Sequence, residues 1–158
     1  MNWQQVLEDK SLQDIPYKIE LNSWGQIVMS PVKNPHAIRQ GRIESELRAL
    51  APAGEAFPEC AINTEDNVKV ADVVWLSPER FERVKNEDVC SIAPEICVEV
   101  ASPSNTAKEM TFKIGLYLGA GAEEVWVCDE NGDMSFHNAE GKLAASKLVP
   151  GFPSRIEI

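Results

Sequence analysis

The sequence predicts an α/β or α+β domain in which a mixed β-sheet is covered by helices. Three observations predict it. Apolar, strand-like runs alternate with helix-periodic segments along the chain. Hairpin signals stand near both ends, around Asn22–Gly25 and at Asn131-Gly132. The 158 residues, 44% of them apolar, suit one domain spanning 1–158 and argue against disorder.

Each element has a local reason. Residues 3–9 read as a short helix. "YKIELNSWGQIVMS" reads as two strands, near 17–21 and 26–30, ended by Pro31. Asn34 reads as an N-cap with Pro35 at the first helical position. That helix runs to about Leu50, with His36, Gln40, Ile43, Leu47 and Leu50 on one stripe. "APAGEAFPE", 51–59, reads as a loop. Residues 68–76, "VKVADVVWL", read as an apolar strand, and "SPERFERVKNED" as a polar helix or loop. A short strand follows at 96–101. Thr106 and Glu109 fit a capping box for a helix that passes Tyr117 and stops at "GAG", 119–121. "EEVWVCD" reads as a strand, "ENGD" turns it back into "MSFHN", and 142–149 reads as an added edge strand. Trp24, Trp75 and Trp126 are expected in core or turn packing, and His137 at the surface or in packing.

Composition narrows the function. Fifteen basic and twenty-five acidic side chains give a formal charge of -10, which disfavours a broad nucleic-acid-binding face. No segment approaches the roughly 18–20 apolar residues of a membrane helix, and the N-terminus lacks a signal-peptide pattern. The four cysteines form no CxxC pair and read as reduced, structural thiols of a cytoplasmic protein. No P-loop, GxSxG or dinucleotide fingerprint is present.

Two carboxylates break the pattern. Asp72 lies among Val70, Val73, Val74 and Trp75, and Glu99 inside "ICVEVA". A buried, unpaired charge is very costly, so each needs a partner or a task. Side chains alternate along a strand, so Glu99 shares its face with the small residues Cys97 and Ala101. That leaves room for an ion, a water or a substrate group. Two such carboxylates on neighbouring strands suit Mg2+, a hard cation that prefers oxygen ligands. The plainer alternative is that each lies at an exposed edge or pairs with Lys or Arg. Lys113 stands at the edge of the apolar stripe of Met110, Ile114 and Tyr117. It can snorkel to solvent, or point over the end of the strand that carries Glu99.

The run "VADVVWLSPE", followed by "PEICVEVASPSNTAKEMTFKIGLYLGAGAEEVWVCD", resembles the Uma-type endonucleases of the PD-(D/E)XK, or restriction-endonuclease-like, superfamily. "YKIELNSWGQIVMSP" and "HAIRQGRIESEL" resemble the family's opening hairpin and first helix, so the likeness covers nearly the whole chain. The resemblance implies a restriction-endonuclease-like core and a metal-dependent phosphodiesterase acting on DNA. It implies Asp72 and Glu99 as acids ligating Mg2+, with Mn2+ as an alternative, aided by the Val100 carbonyl. The superfamily lysine belongs two residues after Glu99, where this chain has Ala101; Lys113 matches a lysine moved to the next helix. Glu20 matches a further acidic position, and His36 and Gln40 lie on the inward stripe of the first helix. Ala71 replaces the proline before the aspartate. Removal of Asp72 or Glu99 is expected to abolish activity with little loss of fold.

Two alternatives stand beside this reading. One is a catalytically silent binding or interaction module on the same fold, favoured by the acidic charge and by Ala101. The other is an acidic α/β domain whose buried acids only pair with lysines. Arg39, Arg42, Arg48, Lys108 and Lys113 are the local basic residues for a positive rim. Self-association into a homodimer is one way to build a groove that a single chain lacks.

Overall fold

Two buried apolar clusters lie on opposite faces of one six-stranded sheet, and the alternation of side chains decides which residue joins which. In the computed structural model, which describes residues 1–158, Val73, Trp75, Val98 and Trp126 face one cluster. Val74, Leu76, Cys97 and Val125 face the other.

The chain opens with α1 (Trp3–Glu8), whose start is closed by a capping box between Asn2 and Gln5. The hairpin β1 (Tyr17–Leu21) and β2 (Ile27–Pro31) forms a separate two-stranded sheet. After it come α2 (Asn34–Leu50), β3 (Glu55–Thr64), β4 (Asn67–Leu76), α3 (Pro78–Val84) and β5 (Ile96–Val100). α4 (Ala107–Gly119), β6 (Glu124–Cys128), β7 (Met134–Asn138) and β8 (Gly141–Leu143) complete the fold. Strand order follows the sequence from β3 to β8. Every pair is antiparallel except β5 with β6, which are parallel and need α4 as their crossover.

The first cluster is closed by Ile43 and Leu47 of α2 and by Val149, Phe152 and Ile156 of the C-terminal segment. Trp126 is its centre, with the Phe136 ring edge-on at 5.1 Å and Phe152 at 4.6 Å. The second is closed by Val84 of α3 and Tyr117 of α4.

Several expectations are corrected. The expected loop at 51–59 is the start of β3, which runs ten residues; Pro58 is tolerated because β3 is the sheet edge. Gly54 leads into it, and a Cβ there would stand 2.2 Å from the Leu76 carbonyl oxygen. Lys33, not Asn34, is the N-cap of α2, and it gives no side-chain bond; Pro35 in the first turn makes one donor unnecessary. Leu50 ends α2 exposed rather than on the buried stripe, at the last helical residue before the chain turns toward β3. Thr106 caps α4 by accepting from the Glu109 amide, but the Glu109 carboxylate turns to the Asn105 side chain, so the box is only half made. The edge strand expected over 142–149 is only Gly141–Leu143, since Ser146 to Leu148 bond to Glu124 instead. Trp24 caps the β1–β2 turn 83% exposed, without packing partners in the core, while Trp75 and Trp126 are buried.

Candidate active site

β4 and β5 pair through Trp75↔Ile96, Val74↔Cys97 and Val73↔Val98, and there the ladder stops. The next residues are Asp72 and Glu99. On the other side of β4, the rungs Pro58↔Val73 and Cys60↔Ala71 flank Glu59, which makes no rung with Asp72 and takes φ of 58°. Asp72 therefore sits at an irregularity in both of its strand pairings, a residue only 1% exposed beside Glu99 at 2%.

Each carboxylate is held by one oxygen. Asp72 Oδ2 accepts the Val100 amide at 2.8 Å and lies 3.3 Å from His36 Nε2 of α2. Glu99 Oε1 accepts the Tyr117 hydroxyl at 2.6 Å and the Lys113 ammonium at 3.4 Å, both from α4. The remaining oxygens, Asp72 Oδ1 and Glu99 Oε2, are bridged by one group: Lys18 Nζ, at 3.2 and 3.1 Å. Lys18 comes from β1, which carries Glu20 two residues on, on the same strand face. Glu20 Oε2 accepts the Val70 amide at 2.8 Å, and both its oxygens take Lys113 Nζ at 3.0 Å.

Three carboxylates thus share two ammonium groups in a nearly dry setting. Burial pulls Asp72 toward its neutral form, but Lys18, the His36 hydrogen bond and the Val100 amide outweigh it and hold its carboxyl far below its ordinary value. Glu20 is lowered in the same way, with Lys18, Lys113 and the Val70 amide overcoming burial. For Glu99 burial prevails over Lys113 and Lys18, helped by repulsion from Asp72 and Glu20, and its pKa is raised. Burial also opposes the charge on Lys18, yet Glu99, Asp72 and Glu20 together raise it above the usual lysine range. Tyr117 is pushed well up by burial and by the anionic neighbours, so it stays a donor.

The structure therefore brings Asp72, Glu99, Lys113, Glu20 and His36 into one cluster. Val100 joins through its amide, the group that meets Asp72. Gln40 is elsewhere: it lines a surface notch with Val32, Glu44 and Pro58 and bonds to none of the three acids. Lys18 was not singled out by the sequence. It is one lysine between Tyr17 and Ile19, and its partners lie 54 and 81 residues away. Tyr117 was read as a packing residue; the spacing Lys-x-x-x-Tyr, one helical turn, was the available signal for its polar role. The basic residues expected to form a rim are largely spent on main-chain carbonyls. Arg39 donates to Glu130, Arg42 to Glu157 and Arg48 to Ala56, while Lys113 is inside the cluster.

A divalent ion would need oxygen donors, and Asp72 and Glu99 supply them. No group of three or more His, Cys, Asp or Glu side chains is gathered as a metal cage. The donor set nevertheless fits one hard cation, because Oδ1 and Oε2 are bonded to nothing except Lys18 and their partner oxygens are fixed by the fold.

Known proteins agree with this architecture. A crystal structure of a putative nuclease belonging to DUF820, from Anabaena variabilis ATCC 29413, superposes with a TM-score of 0.67 over 87% of this chain and 79% of the other, at 20% identity. That likeness shows a shared α+β fold. The sequence itself goes further: residues 7–146 match the family Uma2, described as "Putative restriction endonuclease", and the chain belongs to that family. No functionally curated protein matches it in sequence.

Proposed function

We propose that this member of the Uma2 family is a metal-dependent endonuclease that hydrolyses DNA phosphodiester bonds, using Mg2+ or Mn2+. One observation carries the reading: Asp72 and Glu99, at the point where β4 and β5 part, turn one oxygen each toward a single cation position, the one that Lys18 Nζ holds. A bound divalent ion supplies Lewis-acid polarisation of the phosphoryl group and lowers the pKa of its water. The rest is the work of this chain's residues. Val100 and His36 orient Asp72; Tyr117 and Lys113 orient Glu99. Lys113 also brings positive charge beside the reacting phosphate, where it offsets developing negative charge. Glu20 holds Lys113 in place. The four cysteines are free and buried, which supports a reducing, cytoplasmic setting.

The test is nicking of supercoiled plasmid in Mg2+ or Mn2+ by wild type, Asp72→Asn and Glu99→Gln. Metal-dependent cutting lost in both variants supports the reading. Full activity in either variant would falsify it. Amide variants are chosen because alanine empties a buried charge network. Loss of one partner there costs about 3–5 kcal/mol, so the small loss of fold expected from sequence does not carry over to Asp72→Ala or Glu99→Ala.

A second reading, a silent binding module, is favoured by Lys18, whose ammonium already fills the position between the two acids. A folded wild type that binds no metal and cuts nothing supports it.

A further inference from the structure

We propose that Lys18 is a displaceable latch: its ammonium occupies the cation position between Asp72 and Glu99, and a divalent ion enters only as that ammonium withdraws. The inference rests on the nuclease reading above and adds how its site is regulated.

Three observations carry it. First, Lys18 is the sole partner of Asp72 Oδ1 and Glu99 Oε2, whereas Oδ2 and Oε1 are fixed by Val100, His36, Tyr117 and Lys113. Withdrawing one side chain therefore frees one oxygen on each acid without disturbing the bonds that orient them. An ammonium and a divalent ion cannot share that space, because like charges about 3 Å apart repel strongly in a site screened from water.

Second, the backbone that carries Lys18 is pinned, so the side chain is the moving part. Lys69 Nζ donates to the Leu21 carbonyl at 2.7 Å, the Ser23 amide donates to Asp66, and Asn67 Nδ2 donates to the Asn22 carbonyl. Glu20 is tied to the Val70 amide. All of these anchors lie on the turn side of Lys18.

Third, there is somewhere for the side chain to go. Lys18 lines a cavity of about 520 Å³ walled by Trp3, Val6, Phe57 and Val84, with Glu59 and Asp88 among its polar lining. The apolar wall suits the four-carbon stem, and the acids offer the ammonium a new partner. Lys113 is held differently, by both oxygens of Glu20.

The experiment has two arms on the intact chain. Mn2+ binding is measured by titration calorimetry for wild type and Lys18→Met. The variant is expected to bind about tenfold tighter or better, the scale of removing one like charge from a partly screened site. Binding by the variant alone supports the latch as well. Equal or weaker binding by the variant, with wild type binding, overturns the latch and leaves the metal site standing. No binding by either overturns both.

The second arm uses wild type only, so it does not depend on how the variant folds. Lysine acetylation is read by peptide mass spectrometry with and without saturating Mg2+. Lys18 labelling should rise severalfold on adding Mg2+, while Lys69, held by Leu21 and Asp66, stays protected. Unchanged Lys18 labelling under Mg2+ overturns the proposal.

Discussion

Val73 and Val98 form the last rung between β4 and β5, and one residue beyond it the two strands present Asp72 and Glu99. The paired strands bury valines on one core face up to that rung, and the carboxylates begin where the ladder ends. Sheet pairing therefore sets the spacing of the acids, and the hydrogen bonds to their outer oxygens set their direction.

Tyr117→Phe tests the second of these. The substitution keeps the ring in the second core cluster and removes only the hydroxyl that donates to Glu99 at 2.6 Å. The expected loss is about 1.5–3 kcal/mol, the range for a hydrogen bond to a charged group. Urea denaturation reads it directly. A variant as stable as wild type would show that this bond contributes nothing.

The acid limb of stability follows from the carboxyl shifts. Asp72 and Glu20 are held below their ordinary values of 3.8 and 4.5, so the stability they give is present above those values and lost as pH falls through their folded ones. Glu99 is raised above 4.5, so its contribution is present at low pH and lost as pH rises through its folded value. Urea midpoints across acid pH should therefore fall below about pH 4–5 in wild type and less steeply in Glu20→Gln. Glu99→Gln should remove a decline on the neutral side. An unchanged acid slope in Glu20→Gln contradicts the assignment.

Glu124 provides the structural contrast. It is 2% exposed and has no cation partner, yet it accepts from Trp126 Nε1, Ser146 Oγ and the amides of Lys147 and Leu148 at 2.6–3.0 Å. Its task is to fold the C-terminal segment onto Trp126. Glu124→Ala should cost about 3 kcal/mol by orphaning four donors, two of them buried, and leave Mn2+ affinity per folded molecule unchanged. Denaturation and calorimetry on the same sample separate the two effects; altered Mn2+ affinity would place Glu124 in the site's working parts.

Net charge makes an unusual prediction for DNA cleavage. With a formal charge of -10, the chain repels a polyanion over a distance that salt shortens. The initial nicking rate at fixed Mg2+ should rise between about 20 and 150 mM salt, opposite to a basic nuclease. A steep fall over that range would reveal a concentrated set of phosphate contacts.

The site was half legible in the sequence. Asp72 and Glu99 stood out because a carboxylate inside a run of valines needs an explanation, and that rule is local. Lys113 was legible from its place at the edge of an apolar helix stripe, Glu20 only through resemblance, and the structure joins them at 3.0 Å. Lys18 carried no signal, because a lysine beside Ile19 in a hairpin strand is ordinary until β4 and β5 fold against it. β3 was hidden by Gly54 and Pro58, which read as loop punctuation; only its place at the sheet edge makes the proline acceptable. The turn at Gly132 was readable from Asn131-Gly132, but not its second reason. A Cβ there would lie 2.4 Å from the Ile156 carbonyl oxygen, so the C-terminal segment demands the glycine as much as its φ of 92° does.

The ion pairs of the cluster bridge large sequence separations: 81 residues from Lys18 to Glu99 and 93 from Glu20 to Lys113. A chain emerging from the ribosome therefore exposes the first hairpin with its lysine and glutamate in water long before their counterparts exist. Because such distant contacts form late and slowly, the charged centre cannot assemble on a fragment. A truncated or misfolded copy carries the residues without the geometry, and the closed ion-pair network becomes a report that synthesis has passed α4.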